Sequence, residues 1–371
     1  MSPKGRPEGE SAPERVSAEG GRVSPAIERL RAAVQANCNV TDARYARNMT
    51  LCTYLLEMRE LYRWERGMPL ATPLSRAEIG AWIAHREALW ESLEDADYRP
   101  LPLEGEALDP WDTDTVNRAL APLGLVYGAG VGRFGKPQFF LGRLERQEQR
   151  EGLRILVAGH ELARDLSAAP AAMRGGTVSI RLESLARVLA ERTEAWALKR
   201  HEGALKSALD AYGCVAGDAA ALERMAAVEA ETLILHELGE REAGRALGPG
   251  WEDMLSRLVR RRAEVFARAA RDHLADCLVT LPALLGRGAP APIHSWFAGL
   301  DGMRRELWPR LAGAYAVWRE GDGTRALSAA VSAGATHWRD VCVRTLAAFE
   351  RGGEDGEAAV EAMAVDPALR L

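Results

Sequence analysis

A mainly α-helical fold with a small inserted β meander is predicted by three observations. Ala- and Leu-rich segments with helical spacing cover most of residues 26–93 and run from Leu182 almost to the end. Short runs of Val, Ile, Leu, Phe and Tyr bounded by glycine are confined to the middle, between about residues 123 and 181. No repeat of roughly 20–50 residues is present, which sets a solenoid aside.

The elements follow in order. Residues 1–25 are Pro, Gly, Ser and Glu with little to bury and read as a disordered tail. A helical segment over 26–110 comes next, in pieces: Ala26 to Ala36, a break at Asn37 to Thr41, a long run from Asp42 to Arg66, a loop, and Arg76 to Leu93. Ser75 followed by Glu78 fits a capping box. The text from Asp97 to Asp112 is too rich in Pro and Gly for regular structure and reads as a linker or surface loop.

A small α/β insert spans 111–182. It holds a helix over Thr113 to Ala121, strands near Leu125 to Tyr127, Gln138 to Leu144, Leu153 to Ala158 and Thr177 to Arg181, and a helix over Ala158 to Ser167. A C-terminal helical domain over 183–350 breaks at Gly213 to Asp218, Gly248 to Gly250, Gly286 to Pro292 and Gly321 to Gly323. Residues 351–371 read as a tail holding one weak helix.

Composition removes several function classes. A net charge of −5 over 371 residues lacks the basic field of a nucleic-acid binder. The densest basic string, Arg257 to Arg262, spreads its arginines around a single expected helix and reads as a solvated face. No apolar run approaches the roughly 20 residues of a membrane span. Cys38, Cys52, Cys214, Cys277 and Cys342 form no C-x-x-C pair, and with no apolar leader at the start the expected compartment is the cytoplasm, with reduced thiols.

Two strings invite stronger readings. GAGVGRFGK, Gly128 to Lys136, nearly spells a phosphate-binding loop, but Pro137 replaces the magnesium-holding hydroxyl and QFFL reads as a strand, so the glycines serve a hairpin. HELGE, His236 to Glu240, lacks the second histidine of a zinc protease.

Helical geometry says more. At about 100° per residue, Leu222, Glu229, Leu233, His236, Glu240 and Leu247 share one side of their helix, while Glu223, Glu231, Glu237 and Glu242 point elsewhere. Between Trp251 and Leu285, the residues Leu255, Leu258, Phe266, Ala269, His273, Asp276, Cys277, Thr280 and Leu284 form a second stripe. In the Asp42 helix, Leu51, Tyr54, Leu55, Met58, Leu61 and Tyr62 form an apolar side that Glu65 continues, with Glu57 and Glu60 off it.

Charged and titratable groups on an inward face need a metal, an ion pair or a proton-transfer task. Glu229, His236, Glu240, His273 and Asp276 are therefore the candidate ligands of a di-metal carboxylate and histidine centre for iron, manganese or zinc in a helical enzyme or binding protein, although the Glu-x-x-His pairs of di-metal bundles are absent. A buried polar network that only fixes helix register is the competing reading of the same residues. Two further classes stay open. One is a helical interaction or scaffold protein, acting as a homo-oligomer or with a protein partner, whose Trp82, Trp90, Trp296, Trp308 and Trp318 pack helices or that partner. The other is a small-molecule binder with the β insert as its lid.

Several strings read together carry a resemblance: CNVTDAR from Cys38, CTYLLEMRE from Cys52, RWE ending at Glu65, GKPQFF from Gly135, HELGE from His236, ADCLVTLP from Ala275, and IHSWF at Ile293 through GMR at Gly302. The chain resembles the Sfum-type family of uncharacterised bacterial proteins over roughly residues 30–345. That resemblance implies a domain of unknown function and brings no assigned catalytic residues.

Overall fold

A computed structural model describes residues 24–371 apart from 104, 133, 134, 200, 216 and 322, so the expected tail over 1–25 lies almost wholly outside the described residues. The chain is mainly α, with a five-stranded sheet set into the middle.

Helix α1 runs unbroken from Pro25 to Tyr45, capped by Ser24. The break expected at Asn37 to Thr41 is absent. Asn37 is buried, and its amide donates to the Arg99 carbonyl at 2.9 Å and accepts from the Arg99 N–H at 2.7 Å. Its side chain is therefore engaged across the fold and does not compete for its own backbone. The chain turns instead at Ala46–Asn48, and Thr50 caps α2, Leu51–Glu65. Along α2, Leu51 and Leu55 are exposed while Glu60 is buried, ion-paired to Arg63, so the apolar side expected there is rotated toward Met58, Leu61 and Tyr62. Helix α3, Arg76–Glu91, starts at Ser75 without a side-chain cap, so the expected capping box does not form. The expected linker contains a short antiparallel hairpin, β1 (Leu101–Leu103) with β2 (Glu106–Leu108), whose Leu101 and Leu103 are drawn into the core.

After α4, Thr113–Leu120, the sheet comprises β3 (Leu125–Val131), β4 (Pro137–Arg150), β5 (Leu153–Arg164), β6 (Ala171–Arg174) and β7 (Thr177–Arg181). The order is β3-β4-β5-β7-β6, antiparallel except for the parallel β5–β7 pair. The glycine-rich string joins β3 to β4 as a hairpin, with Val131 opposite Pro137. The helix expected over Ala158 to Ser167 is instead the second half of β5, where Gly142, Leu141 and Phe140 of β4 pair with Glu161, Ala163 and Arg164. Long-range pairing overrides the helical propensity of a sequence such as HELAR.

One face of β5 and β7, with Ile155, Val157, Val178 and Ile180, packs on Ala230, Ile234 and Leu238 of the long helix α7, Ala219–Leu247. Toward the other edge, Tyr127, Phe139 and Leu141 of β3 and β4 pack with α1 and α4. The sheet curls enough that Arg174 of edge strand β6 lies against Gly130 of the opposite edge strand, β3.

Helices α5 (Leu182–Lys199) and α6 (Ala204–Tyr212) lead to α7. Beyond it, the second stripe is divided among α8 (Pro249–Arg257), α9 (Arg261–Ala275), a π-helical turn (Asp276–Thr280) and α10 (Leu281–Arg287). Arg257 to Arg262 therefore straddle a break between helices, with Arg257 paired to Asp253 and Arg260 to Glu357 and Glu361. Helices α11 (Pro290–Ala298), α12 (Gly302–Leu307), α13 (Pro309–Arg319) and α14 (Thr324–Gly352) complete the C-terminal core. The segment expected as a tail is packed: α15 (Gly356–Met363) buries Val360, and Leu369 beyond it is fully buried. Trp82, Trp90, Trp296 and Trp308 are buried within the chain, and Trp318 is half-buried.

Candidate functional site

Where α7 crosses α9 there is room for no side chain but that of glycine. A Cβ on Gly239 would stand 2.5 Å from the Ala275 carbonyl oxygen, so the two backbones approach as closely as helices can. This contact brings His236 and Glu240, on either side of Gly239, against residues at the end of α9. The π-helical turn starting at Asp276 inserts an extra residue there, a distortion found often at functional positions.

Four of the expected stripe residues meet or adjoin here. His236 contacts Asp276 through Nδ1 at 2.9 Å and Glu240 through Nε2 at 3.4 Å. Asp276 is fully buried and its other oxygen accepts from the Arg304 guanidinium. Arg271 reaches Glu240 at 2.5 Å and Asp272 at 3.1 Å. His273 is fully buried alongside but faces away from the carboxylates. Its ring stacks on Trp338 at 4.6 Å, meets Trp308 edge-on at 5.2 Å, and donates from Nε2 to the Arg304 carbonyl at 2.8 Å. Glu229 does not join the others: it accepts from the hydroxyl of Tyr212, the last residue of α6. Glu65, at the end of α2, is bound to Arg86 and Trp82.

The electrostatics sort these groups. Burial alone would lower the His236 pKa, but Asp276 and then Glu240 outweigh it and hold the imidazole well above its ordinary value. Burial pushes Asp276 up, yet Arg304 and His236 hold it far below the usual carboxylate range. Glu240, pushed up by burial, is pulled down to about 2 by Arg271 and His236. His273 is lowered to about 3 by burial and by the nearby Arg304, and is therefore neutral. Glu229 is raised to about 6 by burial. Glu237, expected on the outer side, is buried and raised to about 7, by burial first and by Glu240 second. A helix pressed by the sheet on one side and α9 on the other has no single outer face.

Three participants lay outside the expected set: Asp272, Arg271 and Arg304. Asp272 could have been found from its spacing one turn before Asp276 in RDHLAD; nothing in the sequence joins Arg304, a strand of loops and helices away, to that turn. Among the described residues, His236, Glu240 and Asp272 each offer a donor atom, all within 4.8 Å of one another. An ion bonded at about 2.0–2.2 Å spans donors up to about 4.4 Å apart, so the group would contract slightly around a metal. Asp276 on Nδ1 is also the kind of partner that aims a ligating imidazole.

The lysine of the phosphate-loop string is engaged elsewhere. Lys136 is buried, its Nζ 3.3 Å from Asp42 and 2.7 Å from the Ser167 hydroxyl, and Asp42 accepts in turn from the Leu166 N–H. Two of the three ammonium protons are thereby committed inside the fold, to groups that are not phosphates, and the side chain is buried.

Residues 29–181 match the N-terminal domain, and residues 186–367 the C-terminal domain, of a family of unknown function, DUF6866. The chain belongs to the DUF6866 family. The two DUF6866 matches meet near the junction of β7 and α5, and the α7–α9 seam lies wholly in the C-terminal one. No curated protein and no solved structure matches this DUF6866 chain.

Proposed function

We propose that the chain is a non-catalytic helical scaffold protein whose histidine and carboxylate stripe is a permanent ionic lock between α7, α9 and α12. One observation carries this reading. His236, Arg271 and Arg304 face Glu240, Asp272 and Asp276 in a chain of contacts in which three cations meet three anions. An imidazole engaged by carboxylates at both nitrogens has no lone pair to give, and a guanidinium bridging two acids already supplies what a metal would. Buried sets of this kind are best attested as devices that fix register.

The finer setting belongs to the same proposal. Resemblance to Sfum-type bacterial proteins and five free thiols support a bacterial cytoplasm. The acidic net charge speaks against nucleic acid as the partner, and a second copy or another protein takes that place in the proposal. A unit boundary near residue 182 is supported by the change from strand to helix there.

The compact donor set of His236, Glu240 and Asp272 favours a second reading, an iron, manganese or zinc centre. Elemental analysis after supplementation with each metal, on the native chain and on Arg271→Gln, separates the two. The lock reading expects no stoichiometric metal in either and lowered stability in the variant. Metal at stoichiometry, tightened in Arg271→Gln, establishes the second reading instead.

A further inference from the structure

The face of the curled sheet turned away from α7 is a hollow whose charge balance differs from that of the seam. Alternation along the strands puts Thr177, Ser179 and Arg181 of β7 on this face, beside Arg154 of β5 and Ala172 and Arg174 of β6. Gly128 and Gly130 of β3 close the far wall, and Phe140 packs over Gly128 as the floor.

Two of the three arginines are compensated from outside the hollow. Arg181 pairs with Glu161 at 2.6 Å, and Arg154 pairs with Asp114 at 2.8 Å. Arg174 has neither a hydrogen bond nor an ion pair among the described residues. Glu237 on α7 acts on it electrostatically, against Arg268, and burial lowers its pKa. A guanidinium laid across a half-buried wall with no hydrogen-bonded carboxylate keeps its donors free for a ligand that enters the hollow. Gly130 is what allows it: any side chain there would overlap Arg174 Cδ and Nε.

The geometry points to a binding site for a phosphate-type oxyanion in this hollow, gripped by Arg174 and flanked by Arg154, Arg181, Thr177 and Ser179. A planar carboxylate uses one fork, whereas donors arriving from β5, β6 and β7 suit an anion with three outward oxygens. The occupant is free phosphate or the head of a small phosphorylated molecule whose body leaves by the mouth. This goes beyond the scaffold reading and does not rest on it.

Isothermal calorimetry on the full chain tests it, with inorganic phosphate and glycerol 3-phosphate as the two probes and succinate as the carboxylate control. Saturable binding of either phosphate probe, weakened about ten-fold or more in Arg174→Gln, is expected. Tighter binding of the ester assigns the site to an organic phosphate, and equal binding assigns it to the free anion. Because Arg174 makes no ion pair, the variant should melt like the native chain. Should it fail to fold, Arg174→Lys, which keeps the charge without the fork, provides the same reading through weakened binding. No binding of either phosphate probe at millimolar concentration, binding of succinate alone, or affinity unchanged by the Arg174 variants overturns the proposal.

Discussion

Asp276 stands between two cations: its one oxygen meets His236 Nδ1 at 2.9 Å, and its other accepts from Arg304. Because the carboxylate is fully buried, both partners depend on it for compensation. Asp276→Asn should therefore destabilise the chain by about 3–5 kcal/mol, the range for removing one member of a buried pair. Urea unfolding monitored by tryptophan fluorescence measures this. A loss under 1 kcal/mol, typical of surface pairs, would place the residue outside any lock.

Gly239 is the second point of control. Gly239→Ala adds a methyl group where only 2.5 Å separates it from the Ala275 carbonyl oxygen, so α7 and α9 must separate. An overpacking loss of about 1–3 kcal/mol is expected. It should not add to the loss in Asp276→Asn, since both act on the same seam. Additive losses in the double variant would contradict that coupling.

The lock also sets a pH profile. Glu240 is held at about 2, below its ordinary value, so its contribution is present above about pH 4.5 and is lost as pH falls toward 2; Asp276, lowered likewise, acts in the same direction. His236 is raised, so its contribution is full below its unfolded value near 6.5 and fades as pH climbs through its folded value. Urea midpoints measured across pH should fall on both sides, and His236→Gln should flatten the alkaline limb selectively.

Glu229, about three turns before Glu240 on α7, has the opposite sign. Raised to about 6 by burial, it favours the protonated state in the fold and opposes stability as pH rises from about 4.5 to 6. Glu229→Gln keeps an acceptor for the Tyr212 hydroxyl and removes the charge, so it should stabilise the chain at pH 8 by up to about 2 kcal/mol. Destabilisation at pH 8 would mean that the charged form is needed there.

Lys136 should behave as a structural cation. Burial raises Asp42 to about 7 even with Lys136 nearby to lower it, so Lys136→Met should drive Asp42 to take up a proton and lower the melting temperature. Any shift in melting temperature produced by magnesium and ATP should be the same in Lys136→Met as in the native chain. A nucleotide-dependent rise abolished in Lys136→Met would restore the phosphate-loop reading of GAGVGRFGK.

How much of this was legible depended on what kind of signal each residue carried. The second stripe, from Leu255 through His273 and Asp276 to Leu284, is buried as its spacing implies, even though a helix break and a π-helical turn interrupt it. Periodicity survives such interruptions because the same side must still face α14 and α7. It could not show that His273 turns to Trp338 while His236 turns to Asp276, since which rings lie alongside is decided by segments far apart in sequence. The second half of β5 was missed for a related reason: HELAR is helical by local preference and a strand by its partners on β4. The counter-cations Arg271 and Arg304 were unreadable because one arginine among so many carries no signal until its carboxylate is known.

The direct passage from β7 into α5 has a consequence for handling the protein. Arg181 is the last residue of the strand and Leu182 the first of the helix, and Glu161 grips both the Arg181 side chain and Ser184 in the first helical turn. No spacer is exposed for a protease to cleave between the two matched family segments. Expressed apart, one fragment would bare Val178 and Ile180, and the other Ala230, Ile234 and Leu238. Such halves should aggregate when made singly and recover solubility when co-expressed.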